Sequence, residues 1–80
     1  MKSVAELLIK FTRENPKAKV TDVYDDKNDI LVRVLYNGRA DFYFVRKSDG
    51  KIRAYNSGSE IARVSMIMQN NKRISIQNEE

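Results

Sequence analysis

Apolar residues near the N-terminus recur at the spacing of an amphipathic helix. They are Val4, Leu7, Leu8 and Phe11. Ser3 and Glu6 form the pattern of a capping box, in which each side chain binds the backbone N–H of the other residue. Because Pro16 disfavours helical geometry in the residue before it, the helix is predicted to span Val4–Glu14. A helix this short needs a surface on which to bury its apolar side.

Four segments rich in apolar residues follow, and we interpret them as strands of an antiparallel meander. They are Ala18–Tyr24, Ile30–Leu35, Arg39–Arg46 and Lys51–Tyr55. Asn37-Gly38 and Asp49-Gly50 separate the last three segments and are strong signals for hairpin turns. The acidic segment 25–29 is predicted to be a solvated turn, since a calcium loop would also need a glycine and a distal glutamate.

The register of the second and third strands decides which side chains share a face. A two-residue loop would set Phe42 and Phe44 beside Arg33 and mix apolar with charged positions. A three-residue loop over 36–38 instead places Arg33 opposite Asp41, a favourable cross-strand pair. We therefore predict the three-residue loop, and the same loop length over 48–50. The apolar face that results, which the first helix should cover, contains Ile30, Val32, Val34, Ala40, Phe42, Phe44, Ile52 and Ala54.

The opposite face of this predicted sheet combines apolar, basic and aromatic side chains. Aromatic rings beside arginines can stack on bases and neutralise phosphates, and a half-apolar face of this kind also suits docking on a protein. The binding residues that we predict there are Tyr43, Tyr55, Arg33, Arg53, Leu31, Leu35 and Arg39. Two other interpretations give this face no binding role: a second helix buries its tyrosines, or it is an ordinary solvated sheet surface.

The C-terminal third predicts a second helix over Glu60–Gln69. Ser57 and Glu60 offer another capping box, and one helical stripe holds Ile61, Val64, Ser65 and Met68. The residues from 62 to 68 also alternate as in a strand, but the cap and the methionines favour a helix. Met66–Met68 is interpreted as core filling rather than as an exposed patch. Lys72–Gln77 is a candidate terminal strand, and residues 78–80 are expected to be a frayed tail of one domain spanning 1–77.

The composition excludes several kinds of site. With no cysteine and no histidine, the chain lacks disulfides, zinc–thiolate sites, thiol nucleophiles and the commonest general base. We predict no enzyme activity, no cofactor and no metal; a hydrolytic or transfer enzyme would require a carboxylate–lysine pocket that the spacing does not indicate. The absence of cysteine favours the cytoplasm, and no segment approaches the ~20 apolar residues of a membrane span.

The net charge of +4 is unevenly distributed. Residues 1–30 contain six basic and six acidic side chains, whereas residues 31–78 contain nine basic and three acidic ones. This excess favours anionic partners. We predict an α+β domain that acts as a small non-enzymatic binding module, a regulator or inhibitor docking on a protein. Single-stranded nucleic-acid binding by the same face is the alternative, and a homodimer through exposed edge strands also stays open.

The element order over Val4–Tyr55 is helix, proline, strand and then hairpins ending in Asp49-Gly50-Lys51-Ile52. This order is similar to that of small cystatin-like and PepSY-like modules. The similarity lies in element order and a common turn, so it implies a fold of this kind and assigns no family.

Overall fold

The computed structural model describes residues 2–55, 58–70 and 73–74. Its elements are α1 (Val4–Glu14), β1 (Lys19–Asp25), β2 (Asp29–Tyr36), β3 (Arg39–Arg46), β4 (Ile52–Ala54), α2 (Gly58–Gln69) and β5 (Arg73–Ile74). The predicted α+β class is confirmed, and the first helix has the predicted bounds. The segment from Glu60 to Gln69 lies in a helix, as predicted, and not in a strand. Ser57 of the second predicted cap, residues 75–77 and the predicted frayed tail 78–80 lie outside the described residues.

At both ends of α1, residues next to the helix form hydrogen bonds with its unpaired backbone groups. Ser3 Oγ accepts the backbone N–H of Glu6 at 3.2 Å, and the Ser3 N–H donates to Glu6 Oε1 at 2.9 Å, which confirms the capping box. At the other end, the backbone N–H and the side-chain amide of Asn15 both donate to the Phe11 carbonyl. The orphan groups of the helix are thereby partly paired at each terminus, which fixes its length.

The five strands form one antiparallel sheet in the order β4-β3-β2-β1-β5. In β1 the pairing shifts between Val20 and Asp22, so Thr21 is the extra residue of a β-bulge. Because of the bulge, Val20 and Val23 both lie on the face covered by α1. Thr21 Oγ1 accepts a hydrogen bond from Arg33 Nη1 at 2.7 Å.

The helix α2 crosses the sheet from one edge to the other. It leaves from β4 and leads to β5, and these strands lie at opposite edges. A helix of 12 residues spans about 18 Å, which matches the ~19 Å of four interstrand spacings. Val64 and Ile67 are its buried residues, and they pack on the face opposite to α1.

The predicted register of β2 and β3 is wrong. Tyr36 pairs with Arg39 across a two-residue loop, and Arg33 lies opposite Phe42 instead of Asp41. Asn37 and Gly38 have φ values of 52° and 75°, the positive values of a type I′ turn. This turn matches the twist of the flanking strands, which is why the two-residue loop is the one formed.

The second hairpin also differs from its prediction. Val45 pairs with Ile52, and the Arg46 N–H donates to the Lys51 carbonyl at 2.9 Å. The connection is therefore residues 47–50, one residue longer than the predicted loop 48–50. Gly50 at its end has a φ of 76°, a conformation that favours glycine.

The sheet has an apolar core on each face, not on one face as predicted. The core under α1 contains Leu7, Phe11, Val23, Ile30, Val32, Val34 and Val45. The core under α2 contains Tyr24, Leu31, Phe44, Val64 and Ile67. Phe42 and Phe44 therefore lie on the α2 face, away from Val32 and its neighbours. The physical reason is that both faces are covered by a helix, so both faces bury apolar side chains.

The acidic turn before β2 is not simply solvated. Asp29 is only 4% exposed; its carboxylate oxygens lie 3.3 Å from Arg53 Nη1 and 2.9 Å from Arg63 Nη2. Arg63 also binds Asp26, and Arg53 Nε lies 3.9 Å from a Glu60 oxygen. These charges attach α2 to β4 and to the β1–β2 turn, which satisfies the buried carboxylate.

Candidate functional site

The observed register divides the seven predicted binding residues between the two faces of the sheet. Tyr43 and Arg39 lie on the α1 face. The other five lie on the α2 face: Leu31, Leu35, Arg33, Arg53 and Tyr55. The two tyrosines predicted to form one stacking platform therefore point to opposite sides of the sheet.

Tyr43 belongs to the packing beneath α1. Its ring centroid lies 5.4 Å from that of Phe11, with the planes tilted by 55°. The side chain is half-buried against the first core. Its ring therefore contributes to stability, in a geometry that aromatic pairs favour.

Leu31 and the two arginines of the α2 face are engaged within the protein. Leu31 is fully buried beneath α2. Arg53 binds Asp29 and lies 5.3 Å from the centroid of the Phe44 ring. Arg33 donates to Thr21 and lies 3.6 Å from Asp22. These three side chains are therefore buried or paired with other residues of the protein.

The part of the α2 face near the Asn37-Gly38 turn is left uncovered by the helix. Arg63 directs one flank of α2 toward Asp26 and Asp29, at the opposite end of the sheet. Ile61 and Met68 lie on the other flank, since they are three and four residues from Val64 and away from Arg63. Ile61 and Met68 of α2, together with Leu35, Phe42 and Tyr55 of the sheet face, make up a surface that we call the apolar shelf.

The apolar shelf presents much of its side-chain surface to solvent. Ile61 is 54% exposed, Met68 40% and Leu35 39%. Phe42 and Tyr55 are half-buried and form an edge-to-face pair with ring centroids 5.7 Å apart. Neighbouring exposed apolar side chains beside a fixed aromatic pair are typical of a surface that binds a partner.

Cationic side chains border the apolar shelf. Lys19 pairs with Leu35 in the ladder and is exposed, and it forms no ion pair within the part of the chain that the structure describes. The side chains of Arg33 and Arg73 are 31% and 62% exposed, and both lie 3.6 Å from the carboxylate of Asp22. Two of these three cations share one carboxylate and the third has none among the described residues, so the border of the shelf carries a net positive charge.

Charge also fixes the helix beside the shelf. The hydrogen bond from Arg63 to Asp26 raises the pKa of the guanidinium above its ordinary value, against the opposing effect of burial. Arg63 therefore carries its charge at neutral pH, as its contact with the turn requires.

Sequence reasoning missed three residues of the shelf: Phe42, Ile61 and Met68. The Asn37-Gly38 pair was the signal for Phe42, because a type I′ turn sets it on the face of Tyr55. For the helix, the predicted stripe placed Ile61 and Met68 inward with Val64, whereas the buried stripe contains Val64 and Ile67. No sequence signal separates these two stripes, since the apolar residues of α2 surround most of its circumference.

No family model, curated protein or solved structure matches the chain. Among residues 2–55, 58–70 and 73–74, no three acidic side chains lie close enough to hold a metal ion. Neither α1 nor α2 is long and apolar enough to cross a membrane.

Proposed function

We propose that the protein is a small non-enzymatic binding module whose apolar shelf docks on an acidic, amphipathic segment of a partner protein. The observation that carries the proposal is the shelf itself: Leu35, Ile61 and Met68 are 39–54% exposed, and Phe42 and Tyr55 form an aromatic pair on the same face. A segment that presents apolar residues at helical spacing would bury those side chains as a helix does in a groove.

The charge around the shelf supports an acidic partner. Lys19, Arg33 and Arg73 border it, and the chain carries a net charge of +4. Complementary charge speeds encounter and disfavours basic competitors, while the rigid Phe42–Tyr55 pair supplies the anchor. A second copy of this chain would bring the same cations to the contact, so the charge opposes self-association through this surface.

The proposed role follows from what the chain lacks. Without histidine or cysteine, an 80-residue chain is suited to occupying a surface of its partner rather than to chemistry. We therefore propose that it regulates or inhibits the protein to which it docks, in a reducing compartment such as the cytoplasm.

The experiment uses two designed amphipathic helical peptides with identical apolar positions, one with glutamates and one with lysines at the polar positions. Binding is followed by the backbone amide shifts of the labelled full chain. We expect the acidic peptide to shift the amides around Leu35, Phe42 and Ile61. Leu35→Glu should weaken its binding at least about tenfold, because it places a carboxylate in the apolar contact.

Ile9→Glu is the matched control, since Ile9 is 55% exposed on the outer side of α1 and is not part of the shelf. The affinity of Ile9→Glu for the acidic peptide should equal that of the wild type. Failure of the acidic peptide to bind, or equal loss in both variants, would overturn docking through the shelf. Equal binding of the lysine peptide would overturn the acidic character of the partner.

Single-stranded nucleic-acid binding stays a prediction, supported by the net charge of +4. With Tyr43 and Tyr55 on opposite faces, only one tyrosine remains on the predicted surface. Anisotropy of a labelled oligonucleotide at ~50 and ~200 mM salt tests it, because binding through phosphates weakens steeply with salt. The homodimer through the edge strands β4 and β5 is tested by sedimentation of the same sample.

A further inference from the structure

A second concave surface lies on the α1 face, where the C-terminal end of α1 meets the β2–β3 hairpin. It is a cleft of about 440 Å³, and its lining includes Asn15, Lys17, Tyr36, Asp41 and Tyr43. The sheet separates it from the apolar shelf, so the two surfaces can be occupied independently.

The carboxylate of Asp41 stands between the two tyrosines. Asp41 pairs with Val34, so Tyr36 and Tyr43 are each two residues away along a strand and share its face. One Asp41 oxygen accepts the N–H of Phe42 at 3.0 Å. Within the described residues the carboxylate has no cation partner. It is therefore available to a positively charged ligand.

Two further features of the cleft attract positive charge. The π faces of Tyr36 and Tyr43 carry negative potential, and Tyr36 is 46% exposed, so its ring can be reached from solvent. Asn15 is the C-terminal cap of α1, and the end of a helix at its C-terminus carries about half a negative charge. Carboxylate, rings and helix end thus act on one volume.

Two cations of the chain itself compete for this volume. Lys17 lines the cleft, and Arg39 lies across the hairpin from Tyr36. Neither forms an ion pair with Asp41 in the part of the chain that is described. Both are exposed, so each can turn away into water when a ligand enters.

We propose that this cleft binds the side chain of an arginine presented by a peptide. A guanidinium is planar, so it can stack on a tyrosine ring while its N–H groups form a two-pronged contact with Asp41. A lysine ammonium has the same charge, but it is not planar and cannot form a bidentate contact with a carboxylate. The volume of the cleft, about 440 Å³, has room for one long side chain.

The test is a titration of the labelled full chain with N-acetyl-arginine amide, followed by amide shifts at about 150 mM salt, where the Debye length is ~8 Å. N-acetyl-citrulline amide is the matched ligand, since it has nearly the same shape without the charge. Asp41→Asn should weaken arginine binding about fivefold, and Tyr36→Ala about threefold. Asp25→Asn removes an exposed carboxylate at the other end of the sheet and should leave the affinity for N-acetyl-arginine amide unchanged.

Lys17→Ala tests whether the cleft binds the cation of a ligand or the cation of the chain's own Lys17. Arginine binding by this variant should equal or exceed that of the wild type, because a competing cation is gone. Weaker binding in Lys17→Ala would overturn the proposal, as would equal binding of citrulline or an unchanged affinity in Asp41→Asn. Amide shifts confined to the cleft are expected; shifts spread over the apolar shelf would also overturn it.

Discussion

Arg63 of α2 lies over the ring of Phe44 in β3, with 5.0 Å between the guanidinium carbon and the ring centroid. The same guanidinium binds Asp26 and lies 2.9 Å from an oxygen of Asp29. One side chain therefore attaches the helix both to the sheet and to the turn. This matters because Val64 and Ile67 are the only fully inward apolar residues that the described helix contributes.

Removing this side chain should loosen α2. Arg63→Ala leaves Asp29, which is 4% exposed, with the Arg53 contact, and we expect a loss of about 1–3 kcal/mol of unfolding free energy. Arg63→Lys should lose less, because it keeps the charge without the fork. Urea denaturation measures both variants. Arg13→Ala, on the exposed side of α1, is the control and should change stability by less than about 0.5 kcal/mol.

Tyr43 should behave as a core residue. Tyr43 is one of the binding residues predicted from the sequence, but its ring centroid lies 5.4 Å from that of Phe11. We expect Tyr43→Ala to cost about 2 kcal/mol of stability, and Tyr43→Phe much less. Thermal unfolding followed by circular dichroism measures this. Tyr36→Ala is the comparison, since Tyr36 is 46% exposed; equal losses in both variants would contradict the packing.

The capping box predicts a pH dependence. The hydrogen bond from the Ser3 N–H lowers the pKa of Glu6 below its ordinary value of 4.5. A folded pKa below the unfolded one means that Glu6 contributes stability above pH 4.5, and that this contribution is lost as the pH falls through the folded value. Urea midpoints measured from about pH 6 to 3 should therefore fall more for the wild type than for Glu6→Gln.

Glutamine can still form the capping box, so Glu6→Gln isolates the charge. The pKa of Asp49 is also lowered, chiefly by the hydrogen bond from the Lys51 N–H, but this effect is the same in both proteins and cancels. Parallel pH curves for the two proteins would contradict the role of the Glu6 carboxylate.

The two loop glycines offer a matched pair of substitutions. Gly38 and Gly50 have φ values of 75° and 76°, so alanine should cost about 1 kcal/mol at either position. At Gly38 an added Cβ meets nothing within 4 Å, whereas at Gly50 it comes within 2.8 Å of Lys10 Cδ. Gly50→Ala should therefore cost more. The excess should disappear in the Lys10→Ala background, as measured by urea denaturation.

Local sequence signals were sufficient to predict the helices and hairpins. The strand register and the buried faces depend on long-range packing, which these signals do not contain. The capping box and Pro16 define α1, and the glycine turns define the hairpins. The register was wrong because one covered face was assumed, so a neighbour such as Arg33 beside Phe42 was judged unfavourable. In β2 the first four residues are all buried, a continuous pattern typical of a strand covered on both faces.

The same assumption explains why the seven predicted binding residues do not share one face. With α2 packed on that face, Leu31 belongs to the core and Phe42 is half-buried beside Tyr55. Which part of the face is covered depends on Arg63 reaching Asp26, 37 residues away along the chain, and Asp29, 34 residues away. Contacts at such sequence separation leave no periodic signal, so the apolar shelf could not be found from the sequence.

The bulge at Thr21 has a consequence for how this fold can change in evolution. On either side of it, Val20 pairs with Val34 and Asp22 with Arg33, so loss of Thr21 alone would leave a continuous ladder with every side chain on its present face. Elsewhere in β1 a single-residue deletion would turn the rest of the strand over. The position is thus the place where the strand tolerates the loss of a residue, and homologous chains with a β1 one residue shorter would be expected to lack the residue there.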